Sequence, residues 1–364
     1  MTKLFEPIKI GRYNLQHRVV LAPLTRFRAT LEAVPTDLLV EYYRQRATPG
    51  GLLITEATFI SRLAGGYRRA PGIYSKEQIE GWKKVTSAVH DKGGIIFLQL
   101  WHIGRTGSTS LNPNGEPIVS ASDVPMPGKK PSGAPYETPK PLEIHEIKEL
   151  VQTYKQAALN AIEAGFDGVE IHNANGYLLD QFLNTSSNRR TDEYGGSAEN
   201  RARFTLEVVD AIVDAIGPER TAIRFSPDGK IQGMQDDNPL ETWGYVTSRL
   251  QEKHPNLAYL HFIEARSSFY NDEVNIVDTL DPYRQLWKGP FITAGGFSNA
   301  ISHSVDVAQK TGNLIAYGRA FIANPDLPNR IRKQLPLNKY NRATFYTHDA
   351  TGYIDYPFYE QGKL

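Results

Sequence analysis

Short apolar runs and longer amphipathic segments alternate along almost the whole chain. Each short run is apolar and nearly continuous, which is typical of parallel strands that are buried on both faces. We predict strands over residues 18–22, 51–55, 94–100, 168–171, 221–225, 258–263, 291–294 and 314–317. The amphipathic segments carry apolar residues at helical spacing. We predict helices over residues 36–46, 76–91, 144–164, 198–216, 240–253, 277–287, 300–310 and 324–335.

Eight strand–helix pairs predict an α/β fold, a single (β/α)8 TIM barrel, which needs about 250 residues. The chain has 364 residues, and we expect it to form one domain, 1–364, because no linker or internal repeat divides it. The surplus residues form an N-terminal hairpin cap over 4–17, a long insertion after strand 3 over about 104–142, a second insertion over 184–196 and a C-terminal tail over about 336–364. An open doubly wound sheet is the alternative, but it usually carries G-x-G-x-x-G after its first strand. The sequence Ala22-Pro23-Leu24-Thr25 at that place does not match this pattern.

Composition excludes several classes of protein. The net charge of +1 gives no overall field for nucleic acid or a membrane surface, and the longest apolar run, 94–101, is far too short to span a bilayer. The absence of cysteine excludes disulfides and thiolate sites and fits a reducing compartment. Because the N-terminus lacks the apolar segment of a signal peptide, we expect a cytoplasmic protein. The final Gly362-Lys363-Leu364 only weakly resembles a peroxisomal signal.

The fourth predicted strand ends abruptly in polar residues. His172, Asn175 and Tyr177 follow it, and Gly176 allows the backbone to turn between them. The active site of a barrel enzyme lies at the carboxyl ends of its strands. A polar corner satisfied within the fold is the alternative interpretation. Two hydrogen-bond donors together with a tyrosine that can give up a proton favour a functional site.

Glycines follow the last two strands. Gly295 and Gly296 come after strand seven, and Gly318 and Arg319 come after strand eight. Barrels commonly bind a phosphate at this place through backbone N–H groups, and an arginine adds a bidentate donor. Ordinary turns are the alternative explanation for the glycines, so the signal depends on both pairs occurring together.

A third group of strand-end residues suits a flat, polar heterocycle. Thr25 offers a hydroxyl, Gln99 an amide and Arg224 a fixed positive charge. An arginine on a barrel strand is costly unless it is paired, so Arg224 is either in a structural ion pair or beside a ligand that becomes anionic. A reduced flavin ring is such a ligand, because charge near its N1 tunes it.

Other chemistries fit poorly. No lysine ends a strand, which argues against a Schiff-base aldolase, and no G-x-S-x-G nucleophile motif occurs. Neither H-E-x-x-H nor a carboxylate cluster with metal-ligand spacing is present, so we expect no metal site. Glu170 lies within its strand and has no evident carboxylate partner.

Two long motifs are specific to a known family. They are Phe166-Asp167-Gly168-Val169-Glu170-Ile171-His172 with Asn175-Gly176-Tyr177-Leu178, and Asn188-Arg189-Arg190-Thr191-Asp192-Glu193-Tyr194-Gly195-Gly196-Ser197. In them, and nearly throughout its length, the chain resembles the Old Yellow Enzyme family in its fungal and bacterial forms. The resemblance implies an FMN-dependent oxidoreductase, an ene-reductase on a (β/α)8 barrel. Such an enzyme uses NADPH or NADH to reduce the activated C=C bond of α,β-unsaturated carbonyl compounds, enones and enals.

The resemblance also implies a role for each matching residue. Thr25 matches a flavin O4 contact, Gln99 a contact to the pyrimidine edge, and Arg224 the cation beside N1 and O2. Backbone contacts to the ring match Pro23, Leu24 and Ala57, and the phosphate cradle matches Gly295, Gly296, Gly318 and Arg319. His172 and Asn175 match the pair that binds the substrate carbonyl oxygen, and Tyr177 matches the proton donor to the α-carbon. The pocket-lining aromatic residues match Tyr67, Trp101, Tyr346 and, less clearly aligned, Phe269.

Two alternatives stay open. A flavoprotein of the same fold can act as an isomerase or biosynthetic branch enzyme if its proton donor is absent or redirected, and the presence of Tyr177 favours reduction. A flavin-binding barrel without turnover is the second alternative, which the intact set of site residues argues against. The physiological substrate, the stereochemical preference, the choice between NADPH and NADH, and whether the protein is a monomer or a homodimer do not follow from the sequence.

Overall fold

The computed structural model describes residues 2–130, 132–264 and 279–359. Eight parallel strands form a closed barrel, because each strand pairs with its neighbours in chain order and the eighth pairs with the first. They are β1 Val19–Leu21, β2 Leu52–Ile54, β3 Ile95–Trp101, β4 Gly168–Asn173, β5 Thr221–Phe225, β6 Tyr259–Ile263, β7 Phe291–Ala294 and β8 Leu314–Tyr317. The prediction of a (β/α)8 TIM barrel is confirmed.

Helices surround the barrel and follow the strands in turn. They are α1 Asp37–Arg46, α2 Lys76–His90, α3 Ile144–Glu163, α4 Ala198–Ile216, α5 Pro239–Lys253, α6 Asp281–Leu286, α7 Ile301–Thr311 and α8 Leu327–Lys333. Some of them begin at a serine whose side chain caps the first turn. Ser75 forms a capping box with Gln78 at the start of α2, and Ser197 accepts a hydrogen bond from Asn200 at the start of α4. Among the described residues, no helix is both long enough and apolar enough to cross a membrane.

Three elements differ from the prediction. Two short helices, Leu178–Leu183 and Arg319–Ala323, follow directly after the site motifs of β4 and β8 and were not predicted. One or two turns of helix have too few residues to show a clear period. The described part of the predicted helix 277–287 becomes helical only at Asp281, with Pro282 in its first turn, where proline is tolerated.

The N-terminal hairpin closes one end of the barrel. Its strands, Ile8–Ile10 and Tyr13–Leu15, are antiparallel. Ile10 and Leu15 are fully buried in the same hydrophobic cluster as barrel residues such as Val20. The Tyr13 hydroxyl donates to the backbone carbonyl of Asp167, 2.9 Å away, just before β4 begins. The open end of the barrel is therefore the one where the strands finish.

The C-terminal tail is anchored at this open end by two buried arginines from the segment after β1. Arg26 donates to the carbonyls of Phe345 and Gly352, at 3.1 and 2.8 Å. Arg28 donates to the carbonyls of Phe345 and Asp349, at 2.9 and 3.0 Å. These bonds give both guanidinium groups backbone acceptors, and they hold Tyr346 beside the mouth of the barrel.

Candidate active site

A cavity of about 1560 Å³ opens at the carboxyl ends of the strands. Every predicted site residue that the structure describes borders it. These are Pro23, Leu24, Thr25, Ala57, Tyr67, Gln99, Trp101, His172, Asn175, Tyr177, Arg224, Gly295, Gly296, Gly318, Arg319 and Tyr346. Phe269 lies outside the described residues. The fold thus brings the three sequence signals into one cavity, and the chemical roles of the residues stay predictions.

The turn after β4 is held by side chains from two other segments. Asn175 has φ 59°, in the left-handed region that asparagine tolerates better than most residues. Its backbone N–H donates to Ser226 Oγ at 2.8 Å, and the N–H of Gly176 donates to Asp180 Oδ2 at 2.8 Å. Gln181 Nε2 donates to the carbonyl of Gly176, also at 2.8 Å. These contacts fix the backbone from which the Asn175 side chain extends at the cavity wall.

Aromatic rings position Tyr177 beside His172. Trp101 and Tyr177 meet edge to face with ring centroids 4.9 Å apart, and His172 and Tyr177 do so at 5.0 Å. Tyr67 packs on Trp101 at 5.5 Å, and its hydroxyl donates to Thr106 Oγ1 in the insertion at 3.2 Å. The result is an aromatic wall on the side of the cavity where β3 and β4 end.

Burial determines the protonation states of His172 and Tyr177 in this aromatic wall. It lowers the pKa of His172 well below the usual range, and the nearby positive charge of Arg224 adds to the effect. Burial raises the pKa of Tyr177, with Tyr67 as a smaller contribution. At neutral pH His172 is therefore a neutral imidazole, and Tyr177 keeps its proton. Both residues can donate a hydrogen bond to a ligand oxygen.

A buried cation, Arg224 near the end of β5, borders the cavity. Arg224 is 8% exposed, and its Nε has no hydrogen-bond partner in the described part of the chain. Burial lowers the pKa of Arg224, and the charge of Glu170 opposes that shift. The structural ion pair considered above for Arg224 is not formed with any described residue; Glu170 pairs instead with His261. A buried guanidinium whose Nε has no partner among the described residues suits a ligand that brings acceptor atoms or negative charge.

The glycine turns after β7 and β8 adjoin each other. Gly295 and Gly296 have φ of 112° and 75°, and a Cβ on Gly295 would lie 2.9 Å from the carbonyl oxygen of Glu264. Ser298 Oγ accepts from the backbone N–H of Ala320 at 3.0 Å, which joins the two turns. Such compact backbone beside Arg319 fits a phosphate group.

Taken together, these features fit FMN. The ring would meet Thr25, the Gln99 amide and Arg224, whose Nε has no hydrogen-bond partner among the described residues, and the phosphate would lie at the glycine turns. The fit depends on the chemistry of the donors and acceptors and on a cavity that is large enough for the ligand and a second molecule.

Sequence reasoning missed three buried residues around the site. Glu170 and His261 are both 0% exposed, with Glu170 Oε2 2.8 Å from His261 Nδ1. Ser226 holds Asn175, as described above. The signal that was available is the two-residue period of a strand, because Glu170 and His172 are two apart and project to the same face. By the same rule Ser226 shares a face with Arg224.

The family comparison agrees with this geometry. Residues 3–338 match the model of the NADH:flavin oxidoreductase / NADH oxidase family. The 12-oxophytodienoate reductase 1 of Oryza sativa subsp. japonica is 48% identical over 359 residues, which cover 98% of this chain and 93% of that protein.

Solved structures are similar over the same extent. Morphinone reductase in complex with tetrahydroNAD has a TM-score of 0.89 and 44% identity, covering 99% of this chain and 98% of that one. An Old Yellow Enzyme homologue from Zymomonas mobilis has a TM-score of 0.89 and 41% identity, covering 97% of this chain and 99% of that one. At these identities the likeness extends beyond the fold.

Proposed function

The chain belongs to the Old Yellow Enzyme family of NADH:flavin oxidoreductases, and from that premise we propose that it is an FMN-dependent ene-reductase. Its substrates are α,β-unsaturated ketones or aldehydes, and its reductant is NADPH or NADH. In the net reaction NAD(P)H supplies two electrons and one hydrogen as hydride, a proton supplies the other hydrogen, and the C=C bond becomes a single bond. The names of two similar proteins, 12-oxophytodienoate reductase and morphinone reductase, support reduction of a substrate that carries a carbonyl group.

FMN would be held by its two ends. Thr25, Gln99 and Arg224 would bind the ring, with backbone contacts from Pro23, Leu24 and Ala57, and the turns at Gly295, Gly296, Gly318 and Arg319 would bind the phosphate. When bound, FMN would supply the hydride chemistry between NAD(P)H and the substrate β-carbon.

His172 and Asn175 bind the carbonyl oxygen of the substrate. The neutral imidazole of His172 donates one N–H, and the Asn175 amide donates a second. Negative charge develops on this oxygen as the β-carbon gains hydride, so these donors bind the transition state more tightly than the ground state. Ser226, Asp180 and Gln181 support the reaction by holding the turn that carries Asn175.

Tyr177 protonates the α-carbon. Its high pKa keeps the proton on Oη until a strongly basic carbon is present, and its contacts with Trp101 and His172 orient the ring. The transfer leaves a phenolate, which regains a proton from solvent. This is general acid catalysis by a positioned side chain.

The observation that carries the proposal is the presence of His172, Asn175 and Tyr177 in the same cavity as Arg224 and Gln99. The test is purification followed by turnover. We expect a yellow protein that contains FMN, and we expect it to reduce 2-cyclohexenone to cyclohexanone with NADPH or NADH. A protein that takes up no FMN contradicts the proposal. One that binds FMN but only isomerises the enone, or leaves it unchanged, supports one of the two alternatives instead.

A further inference from the structure

A group of buried polar side chains joins the proposed ring site to residues that do not border the cavity. We call it the interior network, and it consists of Gln99 on β3, Glu170 on β4, Arg224 on β5 and His261 on β6. Gln99, Glu170 and His261 are at most 1% exposed. Four consecutive strands therefore each contribute a side chain to this network, and the buried cluster at the closed end of the barrel consists of apolar and aromatic residues. Burying polar groups in such a place costs free energy unless they have hydrogen-bond partners.

Glu170 is the centre of the interior network. Its Oε1 accepts from Gln99 Nε2 at 2.7 Å, and its Oε2 accepts from His261 Nδ1 at 2.8 Å. Both carboxylate oxygens thus have a partner. Despite complete burial, which acts to raise it, the pKa of Glu170 is lowered, with His261 as the largest opposing influence and Arg224 contributing. Glu170 is therefore a buried negative charge.

The charge of Glu170 decides which way the Gln99 amide faces. An ionised carboxylate can only accept hydrogen bonds, so the amide must present its NH2 group to Glu170. The amide oxygen, Oε1, is then left for the cavity that Gln99 borders. An amide acceptor and the Arg224 donors on the same cavity match a ring edge that alternates donor and acceptor atoms, as the flavin pyrimidine does. A neutral partner at position 170 would accept either orientation of the amide.

The same charge also acts on Arg224. No ion pair joins the two side chains, yet the negative charge of Glu170 favours the charged form of Arg224. From the ligand side, Glu170 partly offsets the positive potential of the guanidinium. It therefore disfavours extra negative charge on a bound ring, and reduced FMN carries such charge near N1.

We propose that Glu170 is a positioning and tuning residue for bound FMN, which orients the Gln99 amide and holds the FMN reduction potential lower than Arg224 alone would set it. This inference rests on the proposed FMN binding. It assigns a function to a residue that does not border the cavity and touches neither substrate nor cofactor.

The test is Glu170→Gln, which keeps the size of the side chain and removes its charge. We expect the Kd for oxidised FMN to rise about 2–10-fold, the worth of one neutral hydrogen bond, because the Gln99 amide is no longer held in one orientation. At an effective dielectric constant of about 20, a unit charge acting over about 10 Å changes an equilibrium about tenfold, and we take this as the scale of the effect. Reduced FMN should gain by about that factor relative to oxidised FMN, which raises the potential by about 30 mV for a two-electron couple.

The matched control is Glu207→Gln. Glu207 lies on α4 outside the barrel, where it accepts from the Tyr194 hydroxyl and pairs with Lys148. The same change of charge there should leave the FMN potential and Kd at their wild-type values. A second variant, Glu170→Asp, keeps the charge but shortens the side chain away from Gln99. It should raise the Kd while leaving the potential near wild type.

The outcomes separate this inference from the proposed function. If the wild-type protein binds no FMN, the proposed function is wrong. If the wild type binds FMN and Glu170→Gln shows unchanged Kd and potential, or a potential that falls, the inference is overturned. Should Glu170→Gln fail to fold in a thermal melt, Glu170→Asp decides the matter, and a wild-type Kd for that variant overturns the inference.

Discussion

The role of Tyr177 as the proton donor is the most discriminating point to test, and the perturbation is Tyr177→Phe. The change removes one hydroxyl and keeps the ring, so the edge-to-face contacts with Trp101 and His172 remain. At most one neutral hydrogen bond is lost, which is worth about 0.5–1.5 kcal/mol. A protein of ordinary stability, about 5–15 kcal/mol, stays about 99% folded after such a loss. Unfolding therefore cannot imitate the effect on catalysis.

The expected effect on enone reduction is large by comparison. A positioned general acid contributes about 10²–10⁴-fold. At about 1.36 kcal/mol per factor of ten, this is about 2.7–5.4 kcal/mol of the activation barrier. FMN content and reduction by NADPH should stay near wild type, because neither needs an acid at this position. Quinones gain their protons on oxygen atoms, which exchange with water, so quinone reduction should be largely spared.

Stopped-flow reoxidation of the pre-reduced variant, first with 2-cyclohexenone and then with a quinone, measures the contrast. The control is Tyr13→Phe, which removes one hydroxyl at the closed end of the barrel, where it donates to the carbonyl of Asp167 at 2.9 Å. That variant should keep wild-type rates with both oxidants. Equal slowing of Tyr177→Phe with both oxidants would show that Tyr177 is structural. No slowing with either would refute the reasoning and assign the proton to another group or to water.

Three further predictions concern the two ends of the site and the turn between them. His172→Ala should slow reoxidation by enones about 10²–10³-fold, which corresponds to about 2.7–4 kcal/mol for the loss of one hydrogen-bond donor. The variant should also weaken the long-wavelength absorption band that bound phenolates form with the flavin. An unchanged band and an unchanged rate in a folded protein would contradict the role of His172 in binding the substrate oxygen. Arg319→Ala should narrow the difference in affinity between FMN and riboflavin, measured by fluorescence titration of both, whereas an equal loss for both ligands would argue against a phosphate contact. Burial raises the pKa of Asp180 to about 7, so the folded protein holds a proton that the unfolded chain releases at about pH 4. The stability that this proton contributes is fully present below about pH 4, the pKa of an aspartate in the unfolded chain, and is lost as the pH rises through about 7. The Tm of the wild type should therefore fall more between about pH 5 and pH 8 than the Tm of Asp180→Asn, and parallel Tm curves would disprove the shift.

Much of the barrel was predictable because its signals are local. Each strand is a short continuous apolar run, and five residues such as Thr221–Phe225 are enough to show one. The strand order then follows from the rule that successive strands of a barrel are neighbours. The ends of the strands could be read directly, which is why His172, Arg224 and Gly295 were expected at one mouth and are found there.

The contacts around the site were not predictable in the same way. Glu170 meets Gln99 across 71 residues of sequence and His261 across 91, and Asn175 meets Ser226 across 51. A two-residue period tells which face of a strand a side chain projects from, but not which side chain of a neighbouring strand stands at the same height.

The sequence by itself thus determined the fold class, the open end of the barrel and the residue types that border the cavity there. Only the tertiary structure decided that the buried charge of Glu170 lies between Gln99 and His261, and that Arg224 has no ion-pair partner among the described residues. The physical reason is that apolar burial depends on composition and period, which are properties of short segments. Hydrogen bonds and ion pairs depend on distances of about 3–4 Å, and those are set only when strands far apart in the chain close into one barrel with a definite register.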